Sequence, residues 1–215
     1  PIEMVEPAFN QMQVQHNIGL DFASGIRTLM RQDPDIIMVG EVRDLETAQM
    51  AVQASLTGHL VLSTLHTNDA PSAITRLLDI GVPHYLIKAT VIGVVAQRLV
   101  RTLCPHCKEP ERPDPDLWES LVSPWPIPMP EALFAPKGCL ECRNTGYHGR
   151  IGLYEILFLD QAIRDLIRPD FDEAPLRRLA YEQGLRPLRI GGALKVAQGL
   201  TSLEEVFKVA PIRAD

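Results

Sequence analysis

The sequence predicts an α/β protein: a parallel sheet with flanking helices, then a small four-cysteine zinc subdomain, then a mostly helical module. Three observations carry this. Up to residue 103, continuous apolar runs alternate with amphipathic ones, the pattern of βα units. All four cysteines fall in two CxxC pairs, Cys104-Pro105-His106-Cys107 and Cys139-Leu140-Glu141-Cys142. After Cys142, one apolar run precedes several amphipathic segments separated by Gly and Pro. The expected domains are therefore 1–103, 104–148 and 149–215.

The elements follow in order. Residues 22–31 read as a helix that halts before Asp33-Pro34, because a residue preceding proline avoids the helical region. Residues 35–40 (DIIMVG) form a continuous apolar run, as expected of a strand buried on both faces. Residues 45–56 carry a helical stripe at 45, 48, 52 and 56 behind an N-cap at Asp44, and Gly58 ends it. Residues 60–65 (LVLSTL) read as a second strand. The next helix is announced by Asn68, Asp69 and Pro71, turns Ala73, Ile74, Leu77 and Leu78 inward, and stops at Gly81. Pro83 opens a further helix, expected to run toward the first cysteine pair. Residues 149–157 (GRIGLYEIL) read as a strand, with helices near 160–167, 175–183, 190–198 and 202–209.

Each CxxC turns a tight knuckle that aims two thiolates at one point, and two knuckles supply the four ligands zinc accepts. A site closed by four thiolates leaves no place for water or substrate, so the zinc is expected to be structural. The alternative is two redox pairs or free thiols, although a thioredoxin-like motif would need one pair only. His106 lies inside a knuckle already complete. Between the pairs, eight prolines from Pro110 to Pro136 predict a segment with neither helix nor central strand.

Composition excludes several functions. The 215 residues are 46% apolar, 22% charged and 6% aromatic. Lys and Arg number 21 against 27 Asp and Glu, a net charge of −6, so the basic field that holds a nucleic-acid backbone is missing. Aromatics for base stacking are scarce as well. The longest apolar stretch, residues 85–100, is interrupted by Lys88, Gln97 and Arg98 and falls short of a bilayer span. No charged start leads into an apolar run, and Pro1 stands first, so the chain is expected to be cytosolic and a piece of a longer protein.

Ligands of open parallel sheets bind beyond the carboxyl ends of the strands. Past the first run stand Gly40, Glu41, Arg43 and Asp44; past the second stand Thr64, His66, Thr67 and Asn68. An apolar strand ending in a carboxylate resembles the element of nucleotide hydrolases whose acid holds Mg²⁺ or orients water. The commoner role of such an acid is a cap or a solvated turn. His59 and His66 bracket the second strand, and seven steps of about 3.3 Å would place them roughly 23 Å apart, too far for one ion. They are expected to do different jobs.

The run from Arg31 to Asp44 (RQDPDIIMVGEVRD), continuing through Glu46-Thr47-Ala48 to residues 57–68 (TGHLVLSTLHTN), resembles the secretion ATPases. These are the hexameric motors of type II secretion, type IV pilus assembly and type IV secretion. The first stretch is similar to the family's Walker B box and the second to its His box. Gln97-Arg98-Leu99-Val100-Arg101, the paired CxxC and the GRIGLYE strand resemble the type II secretion and pilus-assembly branch, which carries a four-cysteine zinc subdomain. The wording of the His box and of Leu103-Cys104 is closer to the type II member, with the pilus motor as close alternative.

The resemblance implies part of a RecA-like P-loop NTPase core. It implies that Pro1-Ile2-Glu3 ends the family's Asp box, with Glu3 activating water, Glu41 the Walker B acid and His66 near the γ-phosphate. His59 opens the His box, and Arg43, Arg76 and Arg98 are candidates for phosphate or intersubunit contacts. Implied cofactors are ATP and Mg²⁺, with structural Zn²⁺ on Cys104, Cys107, Cys139 and Cys142. Implied partners are neighbouring subunits of a homohexamer and inner-membrane platform proteins at the cytoplasmic face, not nucleic acid.

Such a hydrolase needs GxxxxGK[ST] to cradle phosphates. No such loop occurs in the sequence, and Gly191-Gly192-Ala193-Leu194-Lys195 lacks both spacing and hydroxyl. The loop is expected to precede Pro1. The parent is expected to be an ATPase driving pseudopilus or pilus assembly, and this chain by itself to be inactive. The contrasting reading is a zinc-stabilised interaction module without catalysis.

Overall fold

The computed structural model describes residues 2–211. Along the chain run α1 (Phe22–Leu29), β1 (Ile36–Val39), α2 (Leu45–Leu56), β2 (Leu60–Ser63), α3 (Ser72–Ile80), α4 (His84–Thr90) and β3 (Gly93–Leu103). Then come β4 (Glu109–Glu111), α5 (Pro115–Val122), β5 (Leu133–Ala135), β6 (Tyr147–Phe158), α6 (Gln161–Leu166), α7 (Glu173–Glu182), α8 (Leu188–Ala197) and α9 (Leu203–Val209). Among the described residues no helix is long and apolar enough to cross a membrane. The chain forms two compact units: residues up to Ile92 with Phe158–Arg177, and Gly93–Leu157 with residues from Arg178 onward. The boundaries expected after residues 103 and 148 both fall inside the second unit, because the division follows packing rather than chain order.

In the first unit, α1 opens on a capping box. The Asp21 carboxylate accepts the Ser24 amide at 2.8 Å, and the Asp21 amide donates to the Ser24 hydroxyl at 3.0 Å. Two amides that the helix cannot pair internally are thereby satisfied. β1 and β2 pair in parallel, from Ile36 opposite Leu60 to Val39 opposite Ser63. Ile26, Ile37, Val39 and Ala54 form a core, with Phe22, Leu29, Met30, Met50 and Val61 packed around it. The expectation of a strand buried on both faces fails. Ile36, Met38, Leu60 and Leu62 are 58%, 72%, 42% and 48% exposed, since α1 and α2 pack against one face of a two-stranded sheet. Asp44 caps α2 as expected, accepting the Thr47 amide at 2.8 Å. Of the predicted stripe only Ala48 is buried; Thr47 and Ala54 join it, small residues that let the helix lie close to its neighbours.

The helix opened at Pro83 ends at Thr90. A β-branched run through Val91, Ile92, Val94 and Val95 favours extended backbone. The segment leading to the first cysteine pair is therefore strand β3, paired with β6.

In the second unit the proline-rich insert departs most from expectation. Its prolines fall at 110–115, at 124–130 and at 136, leaving 116–122 free of proline, and α5 forms there with Pro115 in its first turn, where no amide partner is lost. Asp114 caps it, accepting the Asp116 amide at 3.0 Å and the Leu117 amide at 3.3 Å. β4 and β5 form an antiparallel pair in which Pro110 lies opposite Phe134. Trp118, Leu121 and Val122 of α5 pack with Leu133 and with Ile190, Ala193, Val196 and Val206 of α8 and α9. A Cβ on Gly192 would stand 2.4 Å from Val206 Cγ1, so α8 meets α9 only because that position has no side chain. A buried polar group fastens β3 to α9: Glu205 accepts the Arg101 amide at 3.1 Å and its guanidinium at 2.7 Å. Arg101 lies 4.0 Å over the Tyr147 ring, whose hydroxyl pairs with Ser202 at 2.9 Å. The Arg101 hydrogen bonds outweigh burial and hold the Glu205 carboxyl down at about 2.

Candidate functional site

The parallel register of β1 and β2 continues past their ends. The Val42 amide donates to Thr64 O at 3.0 Å, and the Thr64 hydroxyl donates to Gly40 O at 2.6 Å. These two bonds keep the departing chains side by side. Glu41 and His66, 25 residues apart, consequently meet, with His66 Nε2 3.1 Å from Glu41 Oε2. Arg43 Nε donates to the same oxygen at 2.5 Å. The Arg43 hydrogen bond, opposed by partial burial and aided by His66, holds the Glu41 carboxyl below the usual range. Among the described residues Oε1 of Glu41 has no hydrogen-bond partner. The arrangement is an ionised carboxylate with one oxygen engaged and the other open, beside an exposed imidazole and guanidinium.

The remaining candidates lie elsewhere. His59 precedes β2, and its Nδ1 lies 2.9 Å from Ala54 O and 3.1 Å from the Thr57 hydroxyl at the end of α2, so it fastens that helix end. Arg76 is exposed on α3. Arg98 lies on β3 in the second unit, one Nη donating to Gln97 O at 2.9 Å. Glu3 is exposed in irregular chain, and among the described residues no hydrogen bond or ion pair ties it to Glu41 or His66. Pro1 lies outside the described residues.

The downstream anchor of the His66 loop has no signal in the sequence beyond Asp69 announcing a helix. Asp69 is buried; its Oδ1 accepts the Ser72 amide at 3.0 Å and its Oδ2 accepts Arg177 Nη2 at 3.1 Å. Arg177 also pairs with Glu173. The partners are 108 residues apart, so no local pattern reveals them.

The four cysteines converge. Their sulfurs lie within 4.8 Å of one another, with Cys104–Cys139 at 3.9 Å and Cys107–Cys142 and Cys139–Cys142 at 3.8 Å. Disulfides require about 2.05 Å. Four thiolates at about 2.3 Å from a tetrahedral zinc ion stand about 3.8 Å apart, so the cluster has the dimensions of a metal cage. Amides of Gly138, Cys139 and Gly146 donate to the sulfurs at 3.2–3.3 Å, the orienting bonds that metal thiolates use. Burial pushes the Cys107 thiol up to about 11; at Cys142 burial is overcome by the Cys139 and Gly146 amides, which bring it to about 6. Gly146 has φ +75°, and a Cβ there would lie 2.4 Å from Pro136 Cβ. Only glycine can present that amide.

Residues 1–208 match the family described as type II/IV secretion system protein. The chain belongs to this family. It is 58% identical over 212 residues to the type IV pilus assembly ATPase TfpB of Acinetobacter baylyi, covering 99% of the chain and 36% of that relative. It is 48% identical over 210 residues to the type II secretion system ATPase E of Vibrio cholerae, covering 97% of the chain and 41% of that relative. The chain thus spans about two fifths of the length of these curated relatives. Among solved structures it resembles the pilus retraction motor PilT bound to ADP, with TM-score 0.60 and 29% identity over 89% of this chain and 44% of that one. It also resembles the Legionella pneumophila ATPase DotB, with TM-score 0.63 and 25% identity over 97% of this chain and 49% of that one. Type II secretion and type IV pilus assembly are both represented among these relatives, and identity is higher to TfpB than to ATPase E. The α/β fold is that of these ATPase domains.

Proposed function

We propose that the chain carries the Walker B and His-box side of an ATPase motor that drives assembly of a type IV pilus or type II pseudopilus. The observation that carries this is the meeting of Glu41 and His66 beyond adjacent parallel strands, in a family whose relatives are ATPases.

In this reading a bound Mg²⁺ would supply charge neutralisation at the phosphates. Glu41, kept ionised by Arg43, would hold that ion or its water through the open Oε1, and His66 would donate toward the γ-phosphate. Glu3 would accept the proton of the attacking water. Arg43, Arg76, Arg98 and His59 are assigned to phosphate, intersubunit or positioning contacts. The resemblance supports a homohexamer working against inner-membrane platform proteins at the cytoplasmic face. The cysteine cage is assigned to structural Zn²⁺.

The test is Glu41→Gln in the complete protein, with the 215-residue chain assayed alongside. Turnover of Mg-ATP is expected to fall about a hundredfold or more in the variant, and the isolated chain to stay at background. Full turnover by the Glu41→Gln protein would leave the interaction-module reading in its place.

A further inference from the structure

The loop that carries His66 is tied down on both sides of the histidine. The His66 side chain is 82% exposed, so packing does not keep its ring at Glu41. Its place is set by the chain on either side. Upstream, the Thr64 bonds to Gly40 and Val42 fix it to the extension of β1. Downstream, Asp69 gathers the loop: its carbonyl accepts the Thr67 hydroxyl at 3.1 Å, and its carboxylate spans the Ser72 amide and Arg177. Glu173, one turn before Arg177 on α7, accepts the Thr75 hydroxyl at 2.7 Å and the Ser72 hydroxyl at 3.4 Å. Arg177, whose side chain is 16% exposed, therefore clamps two carboxylates, one on the His66 loop and one on α7.

A cation withdrawn from water between two acids is a weak device for stability, because desolvation offsets the attraction. Its directional hydrogen bonds fix position instead. We propose that Arg177, acting through Asp69, is a positioning residue that holds His66 opposite Glu41. This inference rests on the reading of Glu41 and His66 as the hydrolytic pair. The clamp matters because displacing a reacting group by about 1 Å costs on the order of a hundredfold in rate.

The experiment uses the complete protein carrying Arg177→Gln, Arg177→Lys or Thr75→Val. It measures steady-state Mg-ATP kinetics and the ¹⁵N signal of the His66 ring; His66→Ala assigns the signal. Arg177→Gln is expected to lower kcat about tenfold or more with KM changed less than about twofold. The His66 signal should shift as the ring leaves Glu41, and Arg177→Lys should recover part of both effects. Unaltered kcat and an unaltered His66 signal in Arg177→Gln overturn the proposal. So does lost activity explained by an unfolded fraction while the folded fraction keeps its His66 signal. Should Arg177→Gln not fold, Thr75→Val, which removes one hydroxyl from Glu173, decides: a shifted His66 signal supports the clamp and an unshifted one overturns it. Absence of turnover in the unaltered protein overturns the hydrolytic reading, while the His66 signal still decides the role of Arg177.

Discussion

Glu41 and Glu205 are both acids held ionised by an arginine, yet they serve opposite ends. Glu41 is partly buried and keeps one oxygen open, so its charge is available to a ligand. Glu205 is buried with both oxygens engaged by Arg101, so its charge is committed to the fold. Because the folded carboxyl of Glu205 titrates near 2, below an unfolded glutamate, its contribution is complete above about pH 5 and is lost as pH falls through 4 toward 2. The shift corresponds to about 3 kcal/mol at neutral pH. Urea unfolding at pH 7 and about pH 3 should show the difference, and Glu205→Gln should flatten this part of the profile while lowering stability at pH 7.

At the level of elements, what could be read in advance followed the locality of the signal. The cap at Asp44, the stop at Gly81 and the CxxC knuckles each depend on a few consecutive residues, and the structure has them where the sequence places them. The strand ends pointing at Glu41 and His66 were legible for the same reason. The prolines of the insert misled because their number was visible and their clustering mattered more: eight residues without an interior proline suffice for α5. The double burial of β1 failed because an apolar run does not say how many layers surround it. The Asp69–Arg177 clamp was invisible, being a tertiary pair with no periodicity. The Gly146 amide, by contrast, reaches only four residues back to Cys142 Sγ, and it yields a prediction. Gly146→Ala places a Cβ against Pro136 and a side chain at φ +75°, which costs about 1–3 kcal/mol of strain. Metal titration of the variant should show weaker binding, since the amide leaves Cys142 Sγ.

On the scale of the whole molecule, the cysteine cage belongs wholly to the second unit, so metal loss should act there. Hydrogen exchange after chelation, or in the Cys139→Ser, Cys142→Ser double variant, is expected to show lost protection around 103–108 and 138–147. α1, β1 and β2 should retain theirs. Uniform loss along the chain would show one cooperative block instead.

The chain passes from one unit to the other after Ile92, after Leu157 and after Arg177. Neither unit is a continuous stretch of sequence. During synthesis, with the amino-terminal end emerging first, the first unit waits for residues 158–177, by which point all of 93–157 has left the ribosome. The two must therefore mature in interleaved fashion, and no single truncation or proteolytic cut can release either one whole.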